Sequence, residues 1–374
     1  LGAPLTNDER VMNIRNIASL LMLSCGGLAC RATVVDLDSP IEASSEPGVL
    51  AIVHEQIRKL TADDQRLYWM GSLPVDGQTN AWFLRSCEKQ NCAATVITYD
   101  AQPYVTNNGY AVVGDQIIWA YLGAARARVS SCPISGCVGA PHQVVTDFYY
   151  ASAPAFDGSE LYFLFPASGV SIYRTSAQRG DQQLVANDSA TSPGSQNLAI
   201  HDAYAYWLTQ NEYPAQVSLR RARKDGSSLV IETISDDVGF SNNHDFGTAT
   251  DTTSIYWTNN VLAGSIRRCP LTGCDGSSEL VLASLRTPQN LLLDGPELYY
   301  VHETKPYVYA VASCELSACM PSDPLFDHLT GPDVVALDDQ YLYAATTEQE
   351  VGPSSAERIT ARIRRLPKPD RNSP

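Results

Sequence analysis

The chain has 374 residues and a formal net charge of −15 at pH 7. That charge excludes nucleic acid or an anionic membrane as the main partner, because phosphate binding needs a concentrated Lys/Arg surface and none occurs here. With 44% hydrophobic and only 18% charged residues the chain can bury a large core, which excludes a disordered or low-complexity protein.

The first predicted element is a hairpin in "SLLMLSCGGLACRATVVDL" (19–37). Residues 18–27 faintly resemble a lipoprotein cleavage site, but the apolar run is short and lipidation of Cys25 would orphan Cys30, so the segment reads as strand. No secretory leader is visible at residue 1, and the chain is expected to be a mature or a trimmed form.

From residue 63 onward an Asp-containing turn followed by an apolar and aromatic triplet recurs seven times: "DDQRLYW" (63–69), "GDQIIW" (114–119), "DGSELYF" (157–163), "HDAYAYW" (201–207), "DTTSIYW" (251–257), "DGPELYY" (294–300) and "LDDQYLYA" (337–344). The spacings from Leu67 to Leu342 are 50, 44, 44, 50, 43 and 44 residues. A period in that range with only short β-type segments is the mark of propeller blades, each a four-stranded sheet that cannot bury its faces alone. Seven copies predict an all-β, single β-propeller of seven four-stranded blades.

The best-formed unit runs "QNLLLD", a turn, "LYYVHE", a loop, then "YVYAVASC". Its aliphatic run suits an inner strand buried on both faces. The ring is expected to close by mixing strands from both termini, with a propeller over residues 1–366, N-terminal strands completing the last blade, and a disordered tail over 367–374.

All ten cysteines fall in five C-x4-C pairs: Cys25/Cys30, Cys87/Cys92, Cys132/Cys137, Cys269/Cys274 and Cys314/Cys319. Opposed residues on antiparallel strands lie close enough for a disulfide, so five cross-linked hairpins are expected. Two units lack cysteines and carry Arg179-Gly180-Asp181 or Asp225-Gly226 at the same place, residues that close a tight turn instead. One C-x4-C supplies two ligands where zinc wants four, which favours disulfides over metal and hence a secreted, cell-surface or periplasmic location.

With "IYWTNN…GSIRRCPLTGC" (255–274) in view, the chain resembles a YWTD-type or NHL-like β-propeller, in the form with C-x4-C hairpins found in secreted myxobacterial proteins. The resemblance implies the fold and leaves function open, since such propellers include binding modules, scaffolds, lyases and hydrolases.

Segments leading into the inner strands converge on the central channel of a propeller. Reading back from each Asp turn gives Arg58, Asn107, Asn108, Ser152, Gln196, Asn197, His244, Asp245, Gln289, Asn290 and Asp333. Of these, Asn108, Asn197, His244, Asp245, Asn290 and Asp333 are the expected ligand-binding set, because amides and acids at a funnel mouth suit hydroxyls or peptide carbonyls. Capping of strand ends is the competing account of the same residues. The function expected first is a non-catalytic module binding a protein or glycan. One alternative is a carbohydrate-active lyase or hydrolase, with His244 and Arg58 as catalytic groups and Tyr110 as a proton donor; another is a structural subunit of an extracellular assembly.

No G-x-S-x-G elbow, phosphate loop or His-based metal motif occurs. No cofactor and no metal site is expected; calcium is kept as an alternative on acidic pairs such as Asp236/Asp237, although no run supplies a calcium loop. No transmembrane segment is expected, and the oligomeric state is left open.

Overall fold

The structure is a computed structural model and describes residues 19–26, 29–36, 41–74, 80–103, 106–122, 127–148, 154–166, 169–176, 182–188, 192–211, 216–228, 230–238, 247–274, 277–347 and 360–368. For residues 19–26, 29–36 and several strand ends it describes the backbone alone. The chain divides into two compact units, Leu1–Pro40 and Ile41–Pro374. The first holds an antiparallel hairpin, β1 (Ser19–Gly26) and β2 (Ala29–Asp36), with Cys25 opposite Cys30. The side chains of that cysteine pair lie outside the described residues.

The second unit is a β-propeller. It begins with β3 (Ile41–Glu42) and β4 (Val49–Val53). The first blade is β5 (Gln56–Ala62), β6 (Arg66–Pro74), β7 (Asn80–Glu88) and β8 (Ile97–Pro103). The second is β9 (Thr106–Val113), β10 (Gln116–Leu122), β11 (Ala127–Pro133) and β12 (His142–Phe148). The third is β13 (Ala155–Phe156), β14 (Glu160–Pro166), β15 (Val170–Ser176) and β16 (Gln183–Asp188). The fourth is β17 (Ser192–His201), β18 (Tyr204–Asn211), β19 (Gln216–Arg223) and β20 (Ile231–Val238). The fifth is β21 (Thr248–Thr250), β22 (Ser254–Asn259), β23 (Gly264–Pro270) and β24 (Glu279–Leu285).

The last strands are β25 (Leu291–Asp294), β26 (Glu297–Lys305), β27 (Val308–Glu315), β28 (Phe326–Leu329), β29 (Val335–Leu337), β30 (Tyr341–Thr347) and β31 (Ala361–Pro367). With β3 and β4 they form one nine-stranded sheet. The expectation of seven separate four-stranded blades is therefore corrected: five stand as separate sheets, and the remaining ring strands run together. The cause is local, a rung between Leu329 of β28 and Thr346 of β30 that carries the hydrogen-bonded path across. In the same sheet β31 pairs with β4, from Ala361↔Val53 to Arg364↔Val49, so strands from near both ends of the chain share a sheet.

The aromatic triplets explain how neighbouring sheets hold together. Alternation along a strand sends the middle residue to one face and its neighbours to the other. Tyr68 accordingly packs with Ile117 and Trp119 of the second blade, while Leu67 and Trp69 pack with Tyr343 and Ala345 of the nine-stranded sheet. The pattern repeats, with Ile118 against Leu161 and Phe163, Tyr162 against Ala205 and Trp207, and Tyr206 against Ile255 and Trp257. Every triplet therefore belongs to two interfaces, which is why all three of its positions are large or apolar.

The Asp turns have an equally specific cause. Asp63 Oδ1 accepts the Gln65 and Arg66 amides at 2.8 and 2.7 Å, and its Oδ2 accepts the Tyr68 hydroxyl at 2.6 Å. Asp157 with Tyr162, Asp251 with Tyr256, and Asp338 with Tyr343 repeat the arrangement at hydroxyl distances of 2.9, 2.8 and 2.6 Å. One carboxylate thus shapes the turn and ties down the buried tyrosine five residues later.

Four disulfides form, Cys87–Cys92, Cys132–Cys137, Cys269–Cys274 and Cys314–Cys319, with Cα separations of 4.7, 5.2, 5.1 and 4.9 Å. They correct one detail of the expectation, because these cysteines do not face each other across paired strands. Cys87 lies opposite Leu67 of β6 and Cys314 opposite Leu298 of β26; the second cysteine of each pair sits in the loop that follows. The bond therefore ties a short loop back to its own strand. At Asp225-Gly226 the expected turn is present instead, with Gly226 at φ 66 and its amide bonded to the Arg223 carbonyl at 3.2 Å. Arg179-Gly180-Asp181 lies outside the described residues. Because each bond closes a small loop, replacing Cys87 and Cys92 together by serine is expected to cost about 2 kcal/mol in urea unfolding. A change below about 0.5 kcal/mol would mean that the turn forms equally well without it.

Candidate functional site

Inner strands from several sheets converge on a cavity of about 440 Å³. Lys59 and Asp333 are its charged groups among the described residues; Thr61, Thr248 and Asn290 add neutral polar groups, and the rest of the wall is aliphatic. Two backbone contacts fix the charged pair at one level. Lys59 and Asp333 form a parallel bridge, and the Leu60 amide donates to the Asp333 carbonyl at 2.9 Å. Asn290 is set by a reciprocal exchange in which Gln289 donates to the Val301 carbonyl at 2.8 Å and Val301 donates to that of Asn290 at 2.9 Å.

Burial pushes the Lys59 ammonium below its ordinary pKa, and the Asp333 carboxylate pulls it partly back. The Lys59 Nζ stands 5.6 Å from the centroid of the Tyr110 ring, within reach of its π face. Tyr110 lies buried behind the wall: its hydroxyl donates to the Tyr68 carbonyl at 2.7 Å and accepts from Thr61 Oγ1 at 3.1 Å, and burial raises its pKa. It is not placed to give a proton to anything in the cavity.

Arg58, expected at the channel, is exposed and is not part of the cavity wall; its Nε lies 3.4 Å from Ser72 Oγ. The reason is a bulge. Ile57 pairs with Gly71 and Lys59 with Met70, leaving Arg58 as the extra residue on β5 and turning Lys59 inward. Of the expected ligand set, Asn290 and Asp333 line the cavity. Asn108 and Asn197 lie in β9 and β17, but their side chains are outside the described residues, as are His244 and Asp245 altogether. Gln289 is 1% exposed and buried beside Gly247 rather than part of the cavity wall.

Sequence reasoning missed Lys59, although a signal existed. Asn290 lies eight residues before Leu298, and Lys59 lies eight before Leu67, the equivalent triplet position. Among the described residues no group of three or more His, Cys, Asp or Glu gathers as a metal cluster, and Asp236 accepts the Ser218 hydroxyl at 2.6 Å.

The sheets and their shared cavity define the second unit as a β-propeller. No protein-family model and no curated protein matches the chain. Solved structures do. A puromycin-hydrolysing peptidase of Mycobacterium tuberculosis is similar at 10% identity and TM-score 0.55, over 88% of this chain and 55% of that one. A prolyl endopeptidase is similar at 11% identity and TM-score 0.54, over 83% and 50%. The β-propeller domain of the Trilobed protease from Pyrococcus furiosus, described as having an open velcro topology, is similar at 6% identity and TM-score 0.53, over 86% and 100%. The chain spans about half the length of the first two. At these identities the likeness carries the fold.

These neighbours correct the functional expectation. The three structures named above are two peptidases and the propeller of a protease, which stands against the expected non-catalytic module for a protein or glycan partner. The lyase alternative also loses its geometry, because neither Arg58 nor Tyr110 lines the cavity and the Tyr110 hydroxyl is bonded to the Tyr68 carbonyl. Among the described residues no helix is long and apolar enough to cross a membrane.

Proposed function

We propose that the chain is a peptidase-related propeller whose channel takes up extended peptide on its way to hydrolysis. The observation that carries this is the cavity at the inner strands: about 440 Å³, lined mostly by aliphatic residues, with Lys59, Asp333 and Asn290 as polar groups. That volume falls within the roughly 300–1,000 Å³ of small-ligand sites, and its mixture of apolar wall and few polar groups suits a chain of amides with small side chains. The peptidase neighbours support the reading through their fold. Two roles follow for expected residues: Asn290 hydrogen-bonds a backbone amide, and Asp333 fixes polarity at the seam.

The same reading treats the nine-stranded sheet as two blades, which with the five separate ones makes seven. Its support is the contrast between one rung at Leu329↔Thr346 and the longer ladders on either side. Four disulfides support an oxidising compartment for the protein.

Binding of fluorescein-labelled acetyl-tetrapeptides, followed by anisotropy, tests the proposal. Asn290→Ala removes one hydrogen-bonding side chain and is expected to weaken binding about fivefold to tenfold. Equal affinity of the wild type and of Asn290→Ala and Asp333→Ala variants would remove the channel from the account.

A further inference from the structure

Resting on that reading, we infer that the channel recognises a carboxylate of the peptide, and that Lys59 is the residue that holds it. Lys59 is the cation among the described residues of the cavity wall, and its neighbours there are aliphatic side chains, two threonines, Asn290 and the carboxylate of Asp333. The bulge at Arg58 directs this one cation inward while leaving the adjacent arginine at the surface.

Three features make a carboxylate the fitting occupant. The half-buried ammonium stands among aliphatic side chains, where a charge-assisted hydrogen bond is stronger than in open water. Its compensation comes from Asp333 and from the Tyr110 ring face at 5.6 Å, and burial still lowers its pKa against the pull of Asp333. An ammonium carries three N–H donors, so Lys59 can hydrogen-bond an incoming carboxylate beside Asp333, whereas an incoming ammonium meets Lys59 as a repulsive neighbour. The backbone bridge between Lys59 and Asp333 keeps the cation at a fixed level, so the carboxylate also sets the register of whatever chain it terminates or decorates.

A peptide carboxylate has two sources, the free C-terminus and an acidic side chain. Three fluorescein-labelled probes separate them: Ala-Ala-Ala-Leu as the free acid, the same sequence as the C-terminal amide, and Ala-Glu-Ala-Leu as the amide. The free acid is expected to bind the wild-type protein about tenfold or more tightly than the Ala-Ala-Ala-Leu amide, the difference of one charge-assisted hydrogen bond. Recovery of affinity in the Glu-containing amide would assign the side chain as an equivalent source; its failure to recover would restrict the site to the C-terminus. Lys59→Met is expected to bring the acid down to the level of the amide without moving the amide, and Lys59→Arg to keep the preference. Equal binding of acid and amide by the wild type overturns the inference without touching the proposed function, and so does a preference that survives in Lys59→Met. Failure of every probe to bind overturns the proposed function itself and this inference with it. The wild-type comparison decides the matter even where a variant does not fold.

Discussion

Replacing Glu55 by alanine is expected to lower stability by about 3–5 kcal/mol, the range for removing one partner of a buried ion pair. Glu55 is fully buried; its Oε1 accepts the Trp69 indole N–H at 2.6 Å and its Oε2 lies 3.2 Å from Arg85 Nη1. Arg85 is 3% exposed, with its guanidinium 4.6 Å from the Phe83 ring centroid. Truncation of Glu55 takes a counter-charge from the buried Arg85 guanidinium and the acceptor from Trp69. The residue also sits at the seam between the first blade and the nine-stranded sheet, where Gln56 Nε2 donates to the Thr330 carbonyl and Thr330 Oγ1 to that of Ile57. Urea unfolding of Glu55→Ala, Arg85→Met and the double variant checks the claim: each single change should be costly and the double change much less than their sum. Additive costs would mean that the two groups act independently. Gly71→Ala probes the site sterically, since a Cβ there would meet the Glu55 carboxyl carbon at 2.7 Å.

The repeat was legible because it is written in covalent spacing. An aspartate five residues before a tyrosine, and a triplet with three buried positions, recur in the sequence at the period of the sheets they build. The cavity wall was only half legible. Asn290 and Asp333 follow from counting back from the Asp turns, but the same count chose Arg58 over Lys59, because a bulge shifts the inward position by one residue and one residue is enough to exchange the faces of a strand. The disulfides were legible as pairs and not as geometry: the spacing cannot say whether the second cysteine lies on a strand or in the loop beyond. Function was the least legible part. A propeller is a scaffold on which many activities are carried, and the pattern that specifies its sheets says nothing of what passes through them.

One interblade device was legible only with the register in hand. Lys89, Lys224 and Lys368 each lie two residues past the position opposite the first triplet residue, Leu67, Ala205 and Leu342 respectively. Each reaches the Asp turn that precedes it round the ring: Lys89 pairs with Asp338, Lys224 with Asp157 at 2.8 Å, and Lys368 with Asp294. At the equivalent position of the fifth blade stands Leu271, and the turn that it follows carries His201 in place of the aspartate. A lysine at this position is therefore of use only where the preceding turn supplies an acid.

Asp338→Asn is accordingly expected to destabilise the protein by about 2 kcal/mol at neutral pH and by progressively less in acid. Burial by itself would raise the Asp338 pKa, but Lys89, the Tyr343 hydroxyl and the Gln340 and Tyr341 amides outweigh it and hold the carboxyl at about 2, against 3.8 for an unperturbed group. A pKa depressed in the folded state makes the unfolded chain the better proton acceptor at low pH. The stabilisation is therefore fully present above about pH 3.8 and is lost as the pH falls through about 2. Guanidinium unfolding of wild type and variant at pH 7, 4, 3 and 2 should show a constant gap down to pH 4 that then closes. Asp157, bound to Lys224 and also held below the ordinary carboxylate range, should give the same shape in Asp157→Asn. Lys89→Met leaves Asp338 its tyrosine and amide partners but removes the link between the first blade and the nine-stranded sheet, so its gap should be smaller in acid as well. A gap independent of pH in all three variants would show that these aspartates act through shape rather than charge, and the lysines would then be packing against the Tyr343 ring, 5.0 Å from Lys89 Nζ, and its counterparts.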